Sequence, residues 1–167
     1  MTIEVGDILA FRSYKFITKA IVLGQRIKRF KRPDLVHLAI SLGGNKILEA
    51  IQGKGLVVRE LAEGEYYEVY RPNQLINKEA MLRIIEVVRL RFRTKNVYDV
   101  SAIIGMFLRL LHIPSRWLFD DGEVICSELC DICYGYYNAS VLQIYSAYHI
   151  HYWPAAIAES DQFTRQY

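Results

Sequence analysis

The sequence predicts an α+β domain in which a small antiparallel sheet packs against helices. Residues 35–71 hold short runs of alternating apolar and polar side chains separated by glycine turns, the pattern of half-buried strands. Residues 77–93 repeat apolar side chains at helical spacing. Cys126, Cys130 and Cys133 fall at i, i+4 and i+7, one face of a further helix. A chain of 167 residues suits one domain, 1–167, with room for a core, and a hydrophobic content of 52% excludes a disordered chain.

Taken in order, Val5-Gly6-Asp7 reads as a turn feeding a short apolar strand that ends near Phe11. Ser13 is placed to cap a helix from Tyr14 to Gly24, with Phe16, Ile17, Ala20, Ile21 and Leu23 as its apolar stripe and Gly24 as its stop. Arg26 to Arg32 follows, five cations in seven residues before Pro33. The simplest reading of that run is a solvated loop; the functional one is attraction of an acidic ligand or an anionic lipid surface.

Leu35 to Leu42 alternates, with Val36, Leu38, Ile40 and Leu42 on one side and His37, Ala39 and Ser41 on the other. Gly43-Gly44-Asn45 turns the chain into a return strand, Lys46 to Gln52. Read as a three-residue loop, the turn pairs Leu42 with Lys46 and sets Glu49 opposite Ala39. Glu49 is then one diagonal step from His37 on the same face, while Leu48 and Ala50 share the other face with Leu38 and Ile40. A two-residue loop would put Glu49 on the far face and spoil the apolar matching. The pattern thus predicts a carboxylate beside an imidazole.

Leu56 to Leu61 and Tyr66 to Arg71 supply two more strands, the second ended by Pro72. In the helix from Asn77 to Arg93, Met81, Ile84, Ile85, Val88 and Phe92 form the buried stripe and the arginines take the solvated face. Asp99 or Ser101 caps an apolar helix that runs to His112 and is ended by Pro114.

Several function classes are disfavoured. A net charge of +3 does not announce a nucleic-acid binder. The start lacks the basic and apolar regions of a secretory leader, and the apolar stretch Val100 to Ile113 is shorter than the ~20 residues of a spanning helix. Three cysteines crowded on one helix do not make a disulfide framework, so a cytoplasmic location is expected. Their C-x3-C-x2-C spacing matches that of radical enzymes holding an iron–sulfur cluster, but there the motif lies on a loop early in a larger barrel. Zinc lacks a fourth ligand at suitable spacing, because His112, His149 and His151 are scattered, and His149-Ile150-His151 alone is weak evidence for a metal. No metal and no cofactor is called for.

The order His37, Leu48-Glu49-Ala50, Tyr98-Asp99 and Cys126-Ser127-Glu128-Leu129, after an opening Gly6-Asp7, resembles the circularly permuted papain-like cysteine hydrolases of the YaeF/YiiX type. These are relatives of the NlpC-type cell-wall amidases and distant cousins of the LRAT-like lipid acyltransferases. The resemblance spans Val5 to Tyr134, and the tail His151-Tyr152-Trp153-Pro154 is compatible with it. Val36 departs from the small polar residue often found before the histidine.

The resemblance implies a permuted papain-like fold with Cys126 as nucleophile at a late helix N-terminus, His37 as base and Glu49 as orienter, with Tyr98 lining the substrate site. The residues agree, since β-branched Val124 and Ile125 delay the helix and leave Cys126 in its first turn, where the macrodipole favours a thiolate. The expected substrate is an amide-linked, cell-wall-like peptide. The alternatives are a lipid-like acyl substrate, as in the LRAT-like enzymes, or a non-catalytic binding domain, against which an intact Cys, His and Glu set argues.

Overall fold

Six strands form one antiparallel sheet in the computed structural model, which describes residues 2–12, 16–51, 54–92, 126–137, 153–158 and 160–167. The strands are β1 (Ile8–Arg12), β2 (Leu35–Gly43), β3 (Lys46–Ile51), β4 (Gly55–Glu60), β5 (Tyr67–Pro72) and β6 (Phe163–Gln166). The described helices are α1 (Phe16–Ile27), α2 (Lys78–Arg91), α3 (Cys126–Tyr137) and α4 (Pro154–Ala158). Across the sheet the order is β4-β3-β2-β1-β5-β6, so the first strand lies inside the sheet and the last closes one edge. The architecture is α+β, as the sequence predicts.

One face of the sheet carries Ile8, Ala10, Leu38, Ile40, Leu48 and Tyr70, and on it α2 and α3 pack Met81, Ile85, Val88, Leu129, Cys130 and Tyr134. The other face carries a smaller apolar group, Leu9, Phe11, Ala39, Ile47 and Val69. The alternation therefore sorts side chains correctly between the two faces from His37 onward, but at the start of β2 a register shift puts Leu35 rather than Val36 with Leu38 and Ile40. α2 matches its predicted range closely, because Asn77 caps it: its side chain accepts the Ala80 N–H at 3.0 Å.

The β2–β3 hairpin reaches the predicted register by another route. Ala39 pairs with Glu49 and Ile40 with Leu48, but Gly43 pairs with Lys46, leaving a two-residue turn and a register shift between Ser41 and Gly43. One extra residue in β2 thus does the work assigned to a longer loop. A bulge inserts one residue on one strand and restores the faces that a short loop would otherwise invert. Gly43 and Gly44 accommodate it with φ of +96° and +62°, and the Ser41 hydroxyl accepts the Gly43 N–H at 2.9 Å. A second shift, between β1 and β2, leaves Val36 out of the ladder beside His37.

α1 departs from its prediction in three ways. It runs past Gly24 to Ile27, so Gly24 is not a stop, and Leu23 lies on the solvent side rather than in the buried stripe. Arg26 and Ile27 are helical rather than part of a loop. The reason is Gln25, fully buried, whose Nε2 donates to the Pro33 and Leu35 carbonyls at 2.8 Å each and whose Oε1 accepts the Ala155 N–H at 2.8 Å. These bonds fix the helix rotation with a polar residue facing inward, which a hydrophobic pattern cannot reveal. Gly24 is where the Trp153 ring lies against the helix backbone.

β6 has no counterpart in the sequence reading, since Thr164-Arg165-Gln166 is a polar edge segment without apolar alternation. The capping Ser13, the helix ending at His112, Tyr98, and His149 with His151 fall outside the described residues. No helix among the described residues is long and apolar enough to cross a membrane.

A Cβ built at Gly24 would sit 2.2 Å from Trp153 Cη2 and 2.6 Å from Cζ3, so the indole would have to move. Gly24→Ala, worth about 1 kcal/mol of stabilisation in an open helix, is expected instead to destabilise the protein by about 1–3 kcal/mol. Urea unfolding followed by Trp fluorescence checks this; a stabilised variant would show that the indole does not pack on the glycine.

Candidate functional site

His37 stands on β2 between the two register shifts, and Glu49 stands across the hairpin on β3. The His37 Nε2 and Glu49 Oε2 are 2.7 Å apart. Glu49 is buried while 22% of the His37 side chain reaches solvent, so the pair has an apolar root and one wet side. The Phe11 ring, on the neighbouring strand β1, flanks the imidazole with centroids 5.8 Å apart. The expected diagonal contact is therefore present.

Cys126 opens the described helix α3 and is 4% exposed. Its thiol lies near enough to the His37 ring to act on its protonation, and because Nε2 is engaged by Glu49, Nδ1 is the ring nitrogen left for sulfur. Three residues from a late helix and two strands thus converge on one imidazole. Cys130 and Cys133, on the same helix, do not join them and lie in the core beside Leu129 and Tyr134. Tyr98 is outside the described residues.

The electrostatics separate these groups. Burial alone would lower the His37 pKa, but charge and hydrogen bonding from Cys126, and then from Glu49, outweigh it and raise the pKa to about 10. Burial alone would raise Glu49, yet hydrogen bonds from His37 and Arg59 hold it below the usual carboxylate value. Burial pushes the Cys133 thiol up to about 12 and Cys130 well above an ordinary thiol, aided by neighbouring Cys133 and Cys126.

No family model matches the chain, and no curated protein matches it. The functional reading therefore rests on the geometry of the site.

Sequence reasoning missed two residues behind Glu49. Arg59, on β4, donates through Nε to Glu49 Oε1, so the carboxylate is gripped from both sides. Its Nη1 and Nη2 donate to the two oxygens of Glu65 at 2.8 and 2.7 Å, and Nη1 also reaches the Glu60 carbonyl at 3.0 Å. Arg59 further lies over the Phe11 ring, 5.7 Å from its centroid. The available signal was register: Ile47 pairs with Arg59, which places the arginine on Glu49's face one step along the ladder. Arg59 is a positioning residue, since it holds the carboxylate that holds the imidazole.

Among the described residues no three His, Cys, Asp or Glu side chains are grouped to hold a metal ion. The arrangement is suited to proton transfer between sulfur and imidazole, with a carboxylate choosing the ring's tautomer.

Two measurements follow from these environments. Limiting iodoacetamide at pH 7 is expected to alkylate Cys126 at least tenfold faster than Cys130 or Cys133, whose buried thiols stay protonated; equal rates by peptide mass spectrometry would refute the distinction. The second concerns the imidazole. A raised pKa favours the protonated ring in the folded state, so His37 should remain protonated from pH 6.5 to near 10, where an ordinary histidine is neutral. Histidine ring NMR should show this, with the midpoint falling in Cys126→Ala and in Glu49→Gln. An unchanged midpoint in both variants would remove them as its cause.

Proposed function

We propose that the protein is a cysteine hydrolase with the permuted papain-like arrangement, cleaving an amide-linked peptide substrate. The observation that carries this reading is the convergence of Cys126, His37 and Glu49, with an imidazole whose proton affinity both partners raise. The chain order, with His before Cys, and the position of Cys126 at the opening of α3 agree with the permuted family.

In this mechanism the proton shared by Cys126 and His37 rests on His37 Nδ1, and the Cys126 thiolate attacks the carbonyl carbon of the scissile amide. The new C–S bond forms as the carbonyl π electrons move onto oxygen, where backbone N–H groups of the first turn of α3 receive the charge. Collapse breaks the C–N bond, and His37 Nδ1 returns its proton to the departing amine. Water, deprotonated by the now neutral His37, then attacks the thioester carbonyl, and collapse breaks the C–S bond, releasing the carboxylic acid and restoring the Cys126 thiolate beside protonated His37. Glu49 keeps Nε2 in its donor role throughout, which leaves Nδ1 free to shuttle the proton. An ester or thioester passes through the same steps.

A panel of acyl amides, cell-wall-type peptides and lipid esters identifies the bond cleaved. On whichever is turned over, Cys126→Ala and His37→Ala are each expected to abolish activity, and the double variant should be no worse. Glu49→Gln should lower kcat by roughly 10- to 10⁴-fold, and Arg59→Gln by about 10- to 100-fold with KM little changed. Partial rescue by Arg59→Lys would mark the role as charge and position rather than bulk. Full activity in Cys126→Ala would end the thiol-hydrolase reading.

A further inference from the structure

A patch of cations and exposed apolar side chains lies on α1 and the turn after it, with no part in the site around Cys126. Between Asp7 and Asp34 the chain contains no acidic residue and eight basic ones. Two of the eight are engaged elsewhere: Arg12 and Arg32 both bind the buried Glu68 and also meet Asp34. Arg32 therefore drops out of the basic run as a free cation. Lys19, Arg26, Lys28, Arg29 and Lys31 are exposed and make no ion pair among the described residues.

Among these cations stand Leu23 and Ile27, 54% and 56% exposed, one helical turn apart on the same face. Gln25 and Gly24 anchor the opposite side of the helix to β2 and Trp153, so this rotation is enforced by the fold. The left-handed backbone at Arg29, φ +63°, ends the helix and turns the chain so that Lys28 to Lys31 flank its end.

We propose that this face docks the protein on an anionic lipid bilayer, with Leu23 and Ile27 entering the headgroup layer and the five cations meeting lipid phosphates and carboxylates. The charge complementarity selects the occupant. An apolar protein partner or a second copy of the chain, bearing the same cations, would have to bury them or set them against each other, whereas a bilayer accepts both parts of the patch at once. Each basic residue near such a surface is worth about fivefold in affinity, and the apolar pair adds insertion that charge alone does not supply.

The test is co-sedimentation of the full chain with vesicles of phosphatidylcholine, with and without 30% phosphatidylserine. Binding is expected only to the anionic vesicles and should fall steeply between 50 and 500 mM salt. Lys28→Gln with Lys31→Gln should weaken it roughly 25-fold, and Leu23→Gln with Ile27→Gln at least tenfold. Lys46→Gln with Lys54→Gln, the same loss of charge at hairpin turns outside the patch, should change it little. Equal binding to neutral vesicles, equal weakening by both lysine pairs, or no binding at 50 mM salt would overturn the proposal. So would self-association, seen by sedimentation velocity and abolished by the Leu23 and Ile27 substitutions in protein that ignores vesicles. Cys126→Ala should bind as the parent does, so this surface and the hydrolase reading stand or fall separately.

Discussion

The pairing of Ala39 with Glu49 delivers a carboxylate into a buried place, and the local structure follows from what that carboxylate requires. An ionised group out of water is costly unless its lone pairs are met, and removing one partner of a buried charge pair costs roughly 3–5 kcal/mol. Glu49 has His37 on one oxygen and Arg59 on the other. Arg59 is itself fixed by Glu65, which also accepts the Ala62 N–H at 3.0 Å. The chain of contacts runs from the turn after β4, across β3, to the imidazole on β2. Each link immobilises the next, so the ring is held in one orientation by the fold itself.

The same device recurs across the sheet. Asp7, buried in the turn before β1, accepts Arg71 Nε at 2.9 Å and Nη2 at 2.8 Å, joining that turn to β5. Glu68, buried on β5, gathers Arg12, Arg32 and Arg165 and accepts the Tyr70 hydroxyl at 2.9 Å. Arginine suits this use because its fork meets several oxygens at fixed angles and its charge cannot be lost. These acids tie strands and turns that the apolar core alone would leave free to slide. They also engage Arg12, Arg32, Arg71 and Arg165, whereas the described cations of α1 and the turn after it make no such pair apart from Arg32.

Three cysteines on one helix are all buried, and they differ in their neighbours. Cys130 and Cys133 point into the core, where desolvation keeps the thiol protonated and makes the sulfur a small hydrophobic group. Of the three, Cys126 has an imidazole beside it. A cysteine face read from spacing alone is thus divided into one position beside an imidazole and two packing positions by where the helix meets the sheet.

Local periodicity was enough to assign most strand faces, the capped helix α2, the diagonal approach of Glu49 to His37, and one helix carrying Cys126, Cys130 and Cys133. Those features depend on residues close in sequence, whose spacing directly sets which side of an element they occupy. What periodicity could not resolve was the bulge at the end of β2, because a longer loop and an inserted residue give the same register. Gly24 carries the signal of a helix stop, yet the tertiary structure uses it as a seat for Trp153, a residue from the far end of the chain. Leu23 faces water because buried Gln25, bonded to two other segments, outvotes the apolar stripe. Arg59 becomes part of the site only once β4 is paired with β3. The sequence alone determined which residues share a face; the tertiary structure decided which faces meet, because a buried polar group is satisfied by whichever distant segment the fold brings to it.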